Sequence, residues 1–312
     1  MPENKKLFEV GKIENFWGGD FLSASADLIA VREGIKKVAR VEYHDNEDLE
    51  KYKKILKENK LEFISSNKKL FETFSLYISQ DKALAQKAKL ADPSFKIIDQ
   101  KKSFNEVVDS VRDFGNLLSY PKCCLEKYIQ NTLDNIKLGE AEVFKSLPSK
   151  ISFLFNNQLN GLSNFYLSFH MPCSFGCKKS QSYLEKIFKA VKKASPDFSL
   201  KLTEHLKNPF LVFFDLTQPG LYASWDKRQG FIFDGKIIGQ ELCYSAVIFF
   251  KTNYPEFQGA KDSSQVASIQ EKIKEGNRLV FSAKGFTVFK DKKKLFSWEN
   301  SEDIKSYLFN FI

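Results

Sequence analysis

Arginine is scarce in this chain: Arg32, Arg40, Arg112, Arg228 and Arg278 are the only five among 312 residues, so the net charge of +9 is carried by lysine. The lysines fall in runs such as 51–60 and 186–193 with glutamates between them. Nucleic-acid recognition draws on arginine for bidentate contacts, whereas interspersed Lys and Glu mark solvated helix faces. The scattered lysines therefore read first as solvated faces, with an anionic small molecule or RNA as the partners that the net charge allows. Long apolar runs are missing too, since none approaches the roughly 18–20 residues that a bilayer span requires. Met1-Pro2-Glu3-Asn4-Lys5-Lys6 is not followed by the apolar stretch of a secretory signal. The expectation is a cytoplasmic protein with no membrane partner. There is no Walker loop, G-x-G-x-x-G, G-x-S-x-G or H-E-x-x-H, which removes the commonest nucleotide, hydrolase and zinc-protease readings. Cysteine is also sparse, and five in a chain of this size are too few for a disulfide scaffold.

An apolar fraction of 43% with 31 phenylalanines can fill a real core. The pattern predicts an α+β protein in three parts: a small α/β unit over 1–100, a helical region carrying the cysteines over 101–205, and an antiparallel β-rich region over 206–312. In the first part, 28–43 reads as extended, Asn46 as a helix cap, Asn46 to Asn59 as a helix, Phe71 to Ile78 as a strand and Lys82 to Ala91 as a helix. Phe16-Trp17-Gly18-Gly19-Asp20 reads as a packed turn. A clear amphipathic helix starts at Ser103 and stops near Ser119-Tyr120, where Pro121 opens a new helix with Cys123 and Cys124 in its first turn. A strand-like run from Asn164 to His170 ends at Met171-Pro172, and another helix begins near Cys177. Beyond Pro209 come strands at Phe210–Phe214, Leu221–Trp225, Phe231–Phe233, Val247–Phe250, Arg278–Ser282 and Phe286–Lys290. A helix spans about Ser263 to Lys274, with Gly276, Gly285 and Asp234-Gly235 as turns.

Four of the cysteines form two tight pairs, Cys123-Cys124 and Cys173-Ser174-Phe175-Gly176-Cys177, while Cys243 stands alone. Pairs of thiols in a reducing compartment point to a metal or to redox chemistry. The spacing fits no zinc finger or ribbon, and adjacent cysteines that diverge from one backbone suit a polynuclear cluster better than one tetrahedral ion. Iron–sulfur ligated by Cys123, Cys124, Cys173 and Cys177 is accordingly the leading expectation, with structural zinc as the alternative. His170, three positions before Cys173, is the candidate acid, base or extra ligand. His44 and His205 read as an element end and a helix surface.

Cys173-x3-Cys177-x2-Ser180 is similar to a radical S-adenosylmethionine triplet, with serine, a poor iron ligand, in the third position. The fuller signature is Ser119-Tyr120-Pro121-Lys122-Cys123-Cys124 together with His170-Met171-Pro172-Cys173-Ser174-Phe175-Gly176-Cys177. It resembles a poorly characterised family of archaeal and bacterial proteins with tyrosine-proline-x-cysteine-cysteine and histidine-x-proline-cysteine-serine motifs. The resemblance implies that the cysteines and His170 form one unit, and it supplies no activity. Three functions remain: an iron–sulfur protein with redox or sulfur-transfer chemistry on an anionic substrate, a structural-zinc module for RNA or an acidic protein, and a metal-free thiol oxidoreductase.

Overall fold

The computed structural model describes residues 22–69, 73–94, 104–133, 151–156, 167–168, 170, 172–215, 229–251, 263–301 and 304–312. The chain is α+β and divides into two compact units, each discontinuous in sequence: 13–130 with 164–200, and 1–12 with 131–163 and 201–312. Phe16 to Asp20, the strand expected at Leu221–Trp225, the cap at Ser103 and most of the run from Asn164 to His170 lie outside the described residues.

The first unit opens with helix α1 (Leu22–Arg32), followed by β1 (Val38–Tyr43), α2 (Asn46–Glu58), β2 (Glu62–Ser65), β3 (Phe74–Ser79) and α3 (Lys82–Ala91). The three strands form an antiparallel sheet in the order β1-β3-β2. Residues 28–32, expected to be extended, belong to α1. Leu28, Ile29, Ala30 and Val31 are all fully buried, and a helix apolar on every side shows no 3.6-residue stripe to tell it from a buried strand. The cap of α2 is Asp45 rather than Asn46, its carboxylate accepting from the Asp48 N–H at 3.0 Å. Asp81 caps α3 in the same way. Helix α4 (Phe104–Leu117) lays Phe114 and Leu118 against Val38, Tyr77, Ala85 and Ala88. Helices α5 (Lys122–Leu133) and α6 (Lys178–Ala194) carry the cysteine motifs.

Helix α7 (Pro196–Leu206) starts in the first unit and ends in the second, which continues with β4 (Phe210–Asp215), β5 (Gln229–Ile238), β6 (Glu241–Lys251), α8 (Ser263–Glu275), β7 (Arg278–Ser282), β8 (Gly285–Lys290), β9 (Lys293–Glu299) and β10 (Ile304–Phe309). These strands make one antiparallel sheet in the order β10-β4-β5-β6-β7-β8-β9. Ile269 and Ile273 of α8 join Phe231, Phe233, Leu242, Tyr244 and Val288 in its core. Asp234-Gly235 is not a hairpin turn. It sits within β5 at a register shift, and a Cβ on Gly235 would overlap the Cys243 carbonyl. The β5–β6 turn instead uses Gly239, at φ +62°.

Gly285 does sit at a turn, with φ +142°, and a Cβ there would overlap the Trp298 carbonyl. Gly285→Ala combines forbidden backbone with a backbone clash, so it is expected to destabilise this sheet by about 2–4 kcal/mol, seen as a lower urea midpoint at unchanged m-value. Among the described residues, no helix is long and apolar enough to cross a membrane.

Candidate metal centre

Helix α4 ends in a left-handed cap built on serine. Ser119 has φ +64°, the Tyr120 N–H reaches the Gly115 carbonyl at 3.0 Å, and the Ser119 N–H reaches Asn116 at 3.1 Å. This geometry turns the chain into Pro121, whose carbonyl accepts from the Cys124 and Leu125 N–H groups at 2.9 and 3.1 Å and so opens α5. Gly115 leaves room for Leu125, since a Cβ there would stand 2.5 Å from Leu125 Cδ1. Cys123 and Cys124 thus occupy the first turn of a helix. On the other side, the Cys177 N–H closes a tight turn onto the Ser174 carbonyl at 3.1 Å, and Cys177 is the N-cap of α6, its sulfur accepting from the Ser180 N–H at 3.5 Å. Two helix N-termini therefore face sulfur, and their unsatisfied N–H groups favour thiolate over thiol.

The two pairs meet. Cys123 Sγ lies 3.7 Å from Cys124 Sγ and 3.8 Å from Cys177 Sγ, and Cys124 Sγ lies 3.6 Å from Cys177 Sγ. With Cys173 included, all four sulfurs fall within 4.8 Å of one another, a group able to hold a metal ion. The adjacent cysteines converge rather than diverge because successive side chains of a helix differ by only about 100° around its axis, so both can lean over the open first turn. Cys124 and Cys177 are buried, whereas Cys123 and Cys173 are partly exposed. Cys243 is exposed on β6, in the other unit.

Without an ion the thiols do not behave alike. Burial pushes Cys124 far up and Cys173 up to about 11, whereas Cys177, although burial opposes it, is drawn down to about 6 by hydrogen bonds from Ser180 and from the neighbouring cysteines. A divalent cation removes this difference by deprotonating every thiol it binds.

His170 is 2% exposed and lies behind the sulfurs, its Nε2 2.9 Å from Ser180 Oγ. Ser180 Oγ is in turn 2.9 Å from Cys124 Sγ. The imidazole rests against Tyr120 at a centroid distance of 5.1 Å and edge-on to Tyr183 at 5.6 Å. Burial, helped by the nearby Lys36 charge, holds its pKa down at about 3, so the ring is neutral. Lys36 is itself buried, 2.8 Å from Asp27 and 5.6 Å above the Tyr120 ring, with Ser168 Oγ 3.4 Å away. Burial opposes its charge, but the Asp27 carboxylate and the Tyr183 hydroxyl more than offset this and hold its pKa above the usual lysine value.

Sequence reading missed Lys36, Asp27 and the role of Ser180. One signal was present: Asp27 is the single charge in Leu22–Val31, and a carboxylate inside an apolar helix needs a buried cation. His44 is exposed at an element end as expected, but His205 is not on a surface. It shares the buried face of α7 with Phe198, Leu202 and Leu206, and burial lowers its pKa to about 4.

An open cleft of about 680 Å³ adjoins the centre, lined by Lys178, Lys179 and Lys186 with Ser119, Ser182 and Tyr183 among its other walls. No carboxylate is among the lining residues.

Residues 86–207 match the model of DUF483, a family described as a protein of unknown function. The DUF483 segment holds the four clustered cysteines, His170 and Ser180, in agreement with the resemblance to an uncharacterised family, and it leaves out Lys36 and Asp27. No curated protein and no solved structure matches the chain.

Proposed function

We propose that this chain is a metal-organised binding module: Cys123, Cys124, Cys173 and Cys177 hold a single zinc ion, and the lysine-lined cleft beside it receives a small anionic ligand. The observation that carries the metal reading is the sulfur spacing. A tetrahedral site with zinc–sulfur bonds of about 2.3 Å has sulfur–sulfur edges of about 3.8 Å, and three of the edges here measure 3.6, 3.7 and 3.8 Å. A polynuclear iron–sulfur cluster distributes its cysteines over different irons and so needs them further apart. Spacing thus favours the alternative of one ion over the leading expectation of a cluster. Four thiolates also close the coordination sphere, as in structural rather than catalytic zinc sites.

The electrostatics support the binding half of the reading. A divalent ion in four thiolates carries two net negative charges, which Lys178, Lys179 and the two helix N-termini offset; Lys186, about two turns along α6, remains as surplus positive charge for a ligand. The cleft volume of about 680 Å³ suits a small molecule rather than a polymer.

Metal analysis of protein purified without oxygen or chelator tests the reading. One zinc per chain and no acid-labile sulfide is the expected result. Two or more irons with matching sulfide would replace it with the cluster, and folded protein without metal would leave the dithiol chemistry.

A further inference from the structure

Ser180 contacts both a metal-site sulfur and an imidazole, and it has one proton to share. Its hydroxyl lies 2.9 Å from Cys124 Sγ and 2.9 Å from His170 Nε2. All three residues are at most 2% exposed, so the hydrogen bonds are made within the protein rather than exchanged with solvent. A thiolate bound to metal can only accept. The Ser180 O–H therefore points at Cys124, and the Ser180 oxygen accepts from His170, which fixes the imidazole as the tautomer with its proton on Nε2. Tyr120 and Tyr183 hold the ring in place for this bond, at 5.1 and 5.6 Å.

We propose that Ser180 and His170 are positioning residues for the metal site, acting in series: His170 orients the Ser180 hydroxyl, and the hydroxyl fixes the Cys124 thiolate and draws charge from it. The inference rests on the metal reading above. It assigns His170 a place behind a ligand instead of on the metal, and it gives Ser180 a hydrogen-bonding duty in the position where a radical-enzyme triplet would have a third cysteine. Cys124 is also the acceptor of the Cys173 N–H at 3.3 Å, so its sulfur carries two hydrogen bonds. Each such bond lowers the charge that the sulfur donates to the metal, the means by which outer groups tune thiolate centres.

Cobalt(II) substituted at the site reports this charge through its sulfur-to-cobalt absorption band. Ser180→Ala is expected to shift the band to longer wavelength and to weaken cobalt binding by about 10- to 100-fold. His170→Phe should move both readouts the same way by a smaller amount, while His170→Gln, which retains an N–H donor, should restore most of the wild-type band. Residues acting in series are non-additive, so the Ser180→Ala/His170→Phe double variant should match Ser180→Ala alone. Circular dichroism on each variant separates a folding defect from a tuning defect, and His170→Gln and Ser180→Ala keep the test open should His170→Phe fail to fold. Wild-type protein that binds no cobalt overturns the metal reading and this inference together. Wild-type protein that binds one ion, with band and affinity unchanged in Ser180→Ala or with additive effects in the double variant, overturns the relay alone.

Discussion

Cys124→Ala is expected to lower zinc affinity by at least about 100-fold, whereas Cys243→Ala is expected to leave it unchanged. Structural zinc sites bind with about 10–16 kcal/mol, which divided over four thiolates assigns about 3 kcal/mol to each, or roughly two decades of affinity. Cys124 is the severe case because its sulfur is buried, lies 3.7 and 3.6 Å from those of Cys123 and Cys177, and holds the hydrogen bonds from Ser180 and Cys173. Cys123 and Cys173 are partly exposed, so water can enter the coordination position that their loss leaves open, and their alanine variants should lose less. Competition with a chromophoric chelator gives these affinities directly. Removal of the ion should also lower the thermal midpoint, because four closely spaced thiols then face one another around an empty centre and the free energy of binding no longer supports the fold. Equal zinc affinity in Cys124→Ala and wild type would show that the four sulfurs do not share an ion.

Lys36→Met should cost about 3–5 kcal/mol of stability, because it leaves Asp27 as an unpaired charge in the interior. The side chains are 1% and 5% exposed and 2.8 Å apart, so solvent screens the pair little. The informative comparison is the double variant Lys36→Met/Asp27→Leu. Replacing both partners with apolar groups of similar size removes the desolvation cost along with the attraction, and most of the lost stability should return. Urea denaturation of the two single variants and the double variant yields the coupling. A double variant as unstable as the sum of the singles would mean that the Lys36 contacts with Tyr120 and Ser168 matter more than its ion pair with Asp27.

The sequence was most informative where one local rule decided the outcome. Helix α3 was read with both bounds correct, because alanine-rich periodicity runs straight into Asp92-Pro93. The opening of α5 followed from Pro121, and the position of Cys177 from the periodicity of α6. Where a position depends on distant chain, local pattern gave nothing. Helix α1 is buried all round and passed for a strand. Strands β9 and β10 were not anticipated; they form the two edges of the seven-stranded sheet, and at β9 the edge is kept polar by Lys293 and Lys294. At the candidate metal centre, residue types and their pairing marked the four sulfurs that cluster, but the choice between one ion and several depends on distances that spacing along the chain does not encode. Ser180 was illegible for a related reason: its partner Cys124 lies 56 positions away along the chain, whereas for Lys36 the lone Asp27 in its apolar helix signalled a buried cation without saying which one.

The discontinuity of the two units has a consequence for synthesis. Cys123 and Cys124 leave the ribosome early, and residues 131–163, which belong to the other unit, must follow before Cys173 and Cys177 emerge. A nascent chain stopped short of Cys173 holds only two of the four clustered cysteines, so under the proposed metal reading capture of the ion is a late event. No single cut can separate the units either, because every cut point between residues 13 and 200 divides at least one of them. Dissecting this protein therefore calls for circular permutation or excision of residues 131–163 instead of truncation from an end.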